Sequence, residues 1–230
     1  MSRDTACDPL PSVGRPARAT LGVRRSASAV IGRVLERPAL YRLWQRPFVY
    51  AKFAPIGRHN DLGAVRRVLD VGCGPGTNAG WFRHARYTGI DLNPAYVAYA
   101  RQRYRGDFVV ADVRGFVPPD GARFDFVLAN SLLHHLDDDA CRELLPRLAG
   151  CVSTDGHVHI LELVSARRPT PAWLLARLDR GSFTRSRETW LGLFGEVLAP
   201  VVCESYAVPA VGPTLWNMLY FKGRPLAAAG

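Results

Sequence analysis

Short apolar runs alternate with longer mixed segments between residues 65 and 164. The runs are rich in β-branched and aromatic residues, which is typical of strands. Five of them predict strands, at Val65–Val71, Tyr87–Ile90, Phe108–Ala111, Phe124–Ala129 and His157–Val164. Because strands that alternate with helices pair in parallel, the pattern predicts an α/β fold with a doubly wound, mostly parallel sheet.

The segments between these runs carry helix signals. They predict helices over Thr77–Arg86, Asn93–Tyr104 and Asp137–Gly150. The second begins with Asn93-Pro94, an N-cap residue followed by proline at the first helical position. The third begins with three aspartates, which are favourable at the positive end of the helix dipole.

The rhythm changes after residue 164. Two helices are predicted, over Ala172–Leu178 and Ser186–Phe194, and two strands follow, over Val201–Val208 and Leu215–Phe221. The loop between these strands is short. They are therefore expected to pair antiparallel, because a parallel pair needs a dozen or more connecting residues.

The N-terminal segment has a different composition. Residues 1–25 are rich in Pro, Ser, Ala, Gly and Arg without periodicity and are predicted to be a disordered basic leader. Residues 26–60 combine helical spacing with many aromatic residues and are interpreted as an N-terminal helical cover. Within it, Tyr41, Trp44, Tyr50 and Lys52 are candidates for closing over a ligand.

The net charge of +10 is concentrated in the first quarter of the chain. Residues 1–60 hold eleven basic and three acidic side chains, whereas the remainder is nearly balanced. A basic leader can contact nucleic acid, an acidic protein or an anionic substrate. The five cysteines are scattered without metal-ligand spacing, which predicts free thiols. With no signal-peptide pattern and no apolar run long enough for a membrane span, a cytoplasmic protein is expected.

The candidate chemistry lies where the first three strands end. The first strand runs into a glycine-rich turn, Asp70–Thr77, which lets a ligand approach the backbone closely. Asp91 follows Gly72 by 19 positions, where a carboxylate accepts both hydroxyls of a ribose. Asp112 ends the third strand, within reach of an adenine amino group. Three carboxylates around one nucleoside pocket favour a positively charged ligand without phosphate.

The turn Asp70–Thr77 resembles the first motif of the class I S-adenosylmethionine-dependent methyltransferases. The resemblance continues through Gly89–Pro94, Ala111–Val113, Phe124–Leu136 and Asp155–His157. It implies a Rossmann-like, doubly wound, seven-stranded sheet, mostly parallel with one antiparallel strand near the C-terminus. It also implies S-adenosylmethionine as the cofactor, no metal, and a binding domain over residues 61–230.

The resemblance also assigns site residues. The implied cofactor-binding residues are Asp70, Gly72, Cys73, Gly74, Gly76, Thr77, Asp91, Leu92, Asp112, Val113 and Asn130. The first strand's turn would hold the methionine end, Asp91 the ribose, and Asp112 the adenine edge, while the backbone of Asn130 would pass near the sulfonium. His134 and His135 are the candidate catalytic bases, because an oxygen or carbon acceptor must lose a proton.

The function expected from these features is methyl transfer to oxygen, carbon or nitrogen of a small molecule. A helical insertion over residues 165–200 is expected to form the acceptor pocket. Its aromatic and cationic residues suit an aromatic or anionic acceptor; they are Trp173, Arg177, Arg180, Phe183, Arg185, Arg187 and Trp190.

Three other functions stay open on the sequence alone. They are an RNA or protein methyltransferase that uses the leader, an NAD-binding oxidoreductase and a catalytically idle binding protein. The loop after the fourth strand, Asn130–Leu133, lacks the Asn/Asp-Pro-Pro-Tyr/Phe motif for exocyclic nitrogens. A nucleic-acid partner is therefore not expected, and neither is a membrane.

Overall fold

A computed structural model describes residues 48–165, 183–209 and 214–227. The strands are β1 (Arg67–Val71), β2 (Arg86–Asp91), β3 (Asp107–Val110), β4 (Phe124–Asn130), β5 (Val152–Leu163), β6 (Leu198–Pro209) and β7 (Thr214–Pro225). The α-helices are α1 (Val49–His59), α2 (Pro94–Arg103), α3 (Asp138–Gly150) and α4 (Arg187–Gly195). Short 3₁₀ helices span Thr77–Trp81, Pro119–Gly121 and Leu133–His135.

The seven strands form one sheet in the order β3-β2-β1-β4-β5-β7-β6. The pairs among β1 to β5 are parallel, and β7 is antiparallel to both of its neighbours. This confirms the predicted doubly wound sheet with one reversed strand near the C-terminus. The chain order reverses direction between β1 and β4, so a crevice opens at their carboxyl ends.

The central strand β4 is buried on both faces. Val127 and Ala129 belong to the apolar cluster that contains α3 and α4, whereas Phe126 and Leu128 belong to the cluster that contains α1 and α2. Alternate side chains of a strand point to opposite faces, so this division places helices on both sides of the sheet.

Several predicted boundaries differ from those observed. The helix predicted over Thr77–Arg86 is wrong: a 3₁₀ helix ends at Trp81, and β2 already begins at Arg86. Gly80 has low helix propensity, and Phe82 turns into the core with 2% of its surface exposed. The other differences are shifts of strand ends, of which the largest is the start of β5 at Val152.

Helix α1 is fixed across the C-terminal strands by contacts at its first two turns. The Tyr206 hydroxyl donates a hydrogen bond of 2.7 Å to the backbone oxygen of Lys52, and the Phe48 ring meets Trp216 edge to face at 4.8 Å. Phe53 and Ile56 are buried beneath the helix. These contacts bring the start of α1 to the carboxyl end of the sheet.

Some predicted segments lie outside the described residues: the leader 1–25, most of the cover 26–60 and the helix Ala172–Leu178. No described helix is long and apolar enough to cross a membrane.

Candidate cofactor-binding cleft

A cleft opens at the carboxyl ends of β1 and β4, beside the start of α1. Its lining residues are Val49, Lys52, Gly72, Cys73, Gly74, Pro75, Thr77, Asn78, Asn130 and Ser131. Its empty volume, open mouth included, is about 510 Å³.

The glycine turn is built from three left-handed residues, Gly72, Gly74 and Gly76, with φ of 71°, 55° and 79°. A Cβ atom on Gly74 would have no heavy atom within 4 Å, so this glycine faces open space in the cleft. A Cβ on Gly76 would instead meet Ala100 at 2.9 Å. Gly74 therefore leaves room for a ligand, whereas Gly76 lets the turn pack against α2.

Asp70 is fully buried at the end of β1. Its Oδ2 accepts hydrogen bonds from Asn78 Nδ2 at 3.0 Å and from the Tyr87 hydroxyl. Its Oδ1 is buried without a hydrogen-bond partner among the described residues. Burial raises the pKa of this carboxyl to about 6, against the opposing effect of the two hydrogen bonds.

Asp91, at the end of β2, joins two backbone segments. Its Oδ2 accepts a hydrogen bond of 2.8 Å from Gly74 N, and its Oδ1 accepts one of 2.8 Å from Asn93 N. Each carboxylate oxygen has a second lone pair, so the side chain retains capacity for further donors. Leu92 is next to it, with 64% of its surface exposed.

Asp112 and Val113, which follow β3, have partners of their own. Arg114 binds the Asp112 carboxylate, and its hydrogen bonds lower the pKa of Asp112 to about 2. Val113 is half-buried against the apolar cluster that contains α3. A contact from Asp112 to an adenine amino group stays a prediction, and the carboxylate would have to share that group with Arg114.

A chain of polar side chains that the sequence interpretation missed crosses the cleft floor. Asn78 donates to Asp70, Asn130 Nδ2 donates to Asn78 Oδ1 at 3.2 Å, and the Ser131 hydroxyl donates to Asn130 Oδ1 at 3.2 Å. Ser131 also has φ of 55°, the left-handed conformation that non-glycine residues rarely adopt. Backbone strain of this kind concentrates at functional sites.

Cys73 and Thr77 complete the predicted turn residues of the cleft. The Cys73 side chain is buried, and a Cβ on Gly89 would meet its Sγ at 2.9 Å. Burial raises the pKa of this thiol, which makes it a packing group rather than a nucleophile. Thr77 begins the 3₁₀ helix and is half-buried at the cleft.

The two histidines differ in environment. His134 is buried, and its Nδ1 lies 2.7 Å from Glu162 Oε2. Since a carboxylate only accepts, Nδ1 carries the proton. Glu162 is fully buried on β5 and also accepts from the backbone nitrogens of Leu132 and Leu133 at 2.8 and 2.5 Å. His135 is exposed at the surface.

The described part of the insertion contributes structural contacts. Arg185 is 7% exposed and donates to the backbone oxygen of Leu136 at 2.8 Å and to Asp138 at 2.7 Å. Trp190 is buried and donates to the Leu163 backbone oxygen at 2.8 Å. Arg187 is half-buried at the start of α4, and Phe183 is 42% exposed. The other predicted acceptor residues, Trp173, Arg177 and Arg180, lie outside the described residues.

The cleft fits S-adenosylmethionine on two observations. The unpartnered Oδ1 of Asp70 is an acceptor suited to an ammonium group, and the cofactor carries a positively charged amino acid end. The open space at Gly74 lets that end lie against the backbone.

Comparison with known proteins agrees with this fit. A family model described as "Methyltransferase domain" matches residues 68–156. A trans-aconitate 2-methyltransferase of Paracidovorax citrulli is 34% identical over 210 residues, which cover 84% of this chain and 74% of that protein. The same enzyme of Escherichia fergusonii is 30% identical over 177 residues, which cover 71% of this chain but only 64% of that protein.

A solved structure shows the likeness of the fold. The N-methyltransferase NodS from Bradyrhizobium japonicum, in complex with S-adenosyl-L-homocysteine, matches with a TM-score of 0.67 and 20% sequence identity. The match covers 87% of this chain and 98% of that one. With the relative from Paracidovorax citrulli, these findings identify the chain as a member of the class I S-adenosylmethionine-dependent methyltransferases.

Proposed function

We propose that this protein transfers a methyl group from S-adenosylmethionine to a carboxylate oxygen of a small-molecule acceptor. The observation that carries the proposal is the cleft itself. The cleft is lined by the glycine turn and by Lys52, and the buried carboxylate of Asp70, whose Oδ1 has no hydrogen-bond partner among the described residues, lies two residues before Gly72.

The residues around the cleft have separable tasks in this proposal. Asp70 and the turn at Gly72 and Gly74 hold the amino acid end of the cofactor. Asp91 binds the ribose while it holds the turn in place through Gly74 N. When bound, S-adenosylmethionine would supply a methyl group on a positively charged sulfur; the acceptor oxygen would bond to the methyl carbon as the carbon–sulfur bond breaks. The hydrogen bond between Asn78 and Asn130 holds the floor of the cleft in place, so the floor needs little reorganisation during methyl transfer.

The choice of a carboxylate acceptor rests on charge and on proton balance. Lys52 is one of the lining residues of the cleft, and its Nζ lies 4.8 Å from the centre of the Trp216 ring. A carboxylate is already ionised near neutral pH, so its methylation needs no general base. That no base is needed agrees with the burial of His134, whose Nδ1 is already hydrogen-bonded to Glu162.

The relatives support the same acceptor class. Both curated proteins described above are trans-aconitate 2-methyltransferases, and their named substrate is a carboxylate. The chain spans 64% of the length of the relative from Escherichia fergusonii, so we propose the acceptor class rather than that substrate itself.

The test is transfer of a radiolabelled methyl group from S-adenosylmethionine to a panel of small di- and tricarboxylates, phenols and amines. The proposal expects base-labile methyl esters from carboxylates. Lys52→Met should raise the KM for the carboxylate at least tenfold, whereas Lys222→Met, the matched change at the other lysine of the chain, should not. Labelling confined to phenols or amines would contradict the carboxylate assignment, and labelling of protein or RNA alone would favour the alternative methyltransferase classes.

A further inference from the structure

Arginines collect at the edge of the sheet opposite the cleft. The parallel strands all begin at one side of the sheet, which we call the starting edge. They all end at the opposite side, the finishing edge, where the cleft lies. The arginines at the starting edge lie beside the first residues of β1, β2, β3 and β4 and at the last turn of α2; they are Arg66, Arg67, Arg86, Arg103, Arg105 and Arg123. All six are exposed.

Three of these arginines stand in a row across adjacent strands. Arg67 pairs in register with Arg86 on the neighbouring strand. On the next strand Asp107 pairs with Thr88, and Arg105 precedes Asp107 by the same two residues that separate Arg86 from Thr88. Neighbouring strands lie about 4.8 Å apart, so the backbones of Arg67 and Arg86 are one strand spacing apart, and Arg105 lies just before the start of the third strand.

The six arginines lack ion-pair partners among the described residues. Elsewhere in the described chain, arginines are commonly paired: Arg114 with Asp112, Arg147 with Glu143, and Arg185 with Asp138. Carboxylates do share the starting edge, at Asp61, Asp107, Asp125 and Asp155. The nearest, Asp125, is engaged by the backbone nitrogens of Arg66 and Arg67 at 2.7 Å rather than by their side chains.

The fold therefore separates charges that the composition hides. Residues 61–230 are almost neutral in total, so their composition gives no sign of a polyanion site. The carboxylates of Asp70, Asp91, Asp112 and Glu162 lie at the finishing edge, and arginines predominate at the starting edge. The exposed arginines give the starting edge a positive charge that can attract a polyanion.

We propose that this arginine edge binds the phosphate backbone of a nucleic acid. Planar guanidinium groups bind phosphate oxygens bidentately, and several exposed arginines along one edge suit a linear series of phosphates better than a single small anion. Among the described residues, the exposed large apolar side chains at the starting edge are Val201 and Leu226, on β6 and just after β7, at the opposite side of the sheet from the three arginines. Protein interfaces and membrane anchors need such apolar contacts, whereas phosphate contacts do not.

This surface is separate from the cleft. The strands between the two edges are five to seven residues long in β1, β2 and β4, which corresponds to about 16–23 Å. A nucleic acid on the arginine edge would not enter the methyl-transfer site. The inference thus concerns a second partner and does not depend on which acceptor is methylated.

The experiment measures binding of a fluorescently labelled 20-nucleotide single-stranded RNA to the full chain at several salt concentrations. We expect affinity to fall with salt, and Arg86→Gln/Arg105→Gln to weaken binding at 50 mM salt at least tenfold. The double variant should also reduce the salt slope by about 1.4, since each lost phosphate contact removes about 0.7. Neither side chain makes a hydrogen bond or ion pair in the described structure, so the fold should be retained.

The matched control is Arg58→Gln/Arg142→Gln, which removes the same charge from α1 and from the middle of α3, where both arginines are ion-paired. It should change the affinity less than twofold. Equal losses in both double variants would overturn the proposal, because they would show that net charge or the basic leader binds the RNA. Binding to phosphatidylserine vesicles that exceeds RNA binding and is lost in Arg86→Gln/Arg105→Gln would also overturn it, in favour of a membrane. Binding of S-adenosylmethionine should be unchanged in both variants, so a failure of the proposed methyl transfer is read separately.

Discussion

Asp91 Oδ2 lies 2.8 Å from the backbone nitrogen of Gly74, so the carboxylate at the end of β2 holds the turn that follows β1. The same carboxylate accepts from Asn93 N, the N-cap residue of α2. One side chain thus joins the glycine turn to the start of the next helix. The cleft is organised by contacts within the protein itself, which favours binding because less reorganisation is needed when a ligand enters.

Gly74→Ala should impair cofactor binding more than folding. The new Cβ would meet no protein atom within 4 Å, so the stability cost comes from the left-handed backbone and should be about 1 kcal/mol. The methyl group would occupy space at the cleft, and we expect S-adenosylmethionine affinity to fall at least tenfold in calorimetry. Gly80→Ala is the matched control, since it also meets no atom but lies outside the cleft lining. Unchanged affinity in Gly74→Ala would show that the ligand does not lie against this turn.

Cofactor affinity should depend on pH through Asp70. The pKa of this carboxyl is raised to about 6 by burial, so the group becomes neutral as the pH falls below that value. A neutral acid attracts a positively charged ligand less, and the affinity for S-adenosylmethionine should therefore decrease between pH 7 and pH 5. Asp70→Asn should bind more weakly at pH 7 and lose this pH dependence. If the affinity of Asp70→Asn keeps the wild-type pH dependence, a group other than Asp70 is responsible for it.

The same group predicts how stability changes with pH. The folded-state pKa of Asp70 is raised from 3.8 to about 6, so the folded state binds the proton more tightly than the unfolded state. Ionisation of Asp70 therefore lowers the free energy of unfolding as the pH rises from about 4 to about 6, by on the order of 3 kcal/mol in total. Urea unfolding of wild type and Asp70→Asn at pH 4.5 and pH 7 measures this effect. The free energy of unfolding of the variant, relative to that of wild type, should be higher at pH 7 than at pH 4.5. If the two free energies of unfolding differ by the same amount at both pH values, the destabilising ionisation of Asp70 is contradicted.

Glu162→Gln should destabilise the protein markedly. The Glu162 carboxylate accepts from two backbone nitrogens and from His134 Nδ1, and a glutamine amide would turn a donor toward one of them. Loss of a buried charged acceptor costs about 2–4 kcal/mol in the free energy of unfolding. The exposed Glu143→Gln, which loses only a surface pair with Arg147, should cost less than about 1 kcal/mol. If the two substitutions lower the free energy of unfolding by similar amounts, the structural role of Glu162 is contradicted.

The sequence predicted those parts of the molecule that depend on local pattern. Apolar runs located all seven strands, and the Asn93-Pro94 signal placed the start of α2 within one residue. The glycine turn and Asp91 were found because their spacing follows from one strand-turn-helix unit. Their predicted contacts with the cofactor, like those of Asp112 and Asn130, stay predictions.

Other site features depend on residues that are distant in the chain. Asn78 meets Asn130 across 52 positions, and Glu162 meets His134 across 28. No local pattern marks such pairs. The left-handed conformation of Ser131 was equally invisible, because serine carries no signal for it. The arginine row arises only when parallel pairing aligns the starts of separate strands.

In the proposed function the cleft binds S-adenosylmethionine, and Asp91 contacts its ribose. The most direct test is calorimetry of S-adenosylmethionine, S-adenosylhomocysteine and NAD on wild type and Asp91→Ala. We predict micromolar binding of the first two ligands, weakened at least tenfold in the variant, which corresponds to a loss of about 1.4 kcal/mol or more. Binding of NAD without binding of S-adenosylmethionine or S-adenosylhomocysteine would contradict the proposed function, and equal affinities in wild type and Asp91→Ala would contradict the role of Asp91.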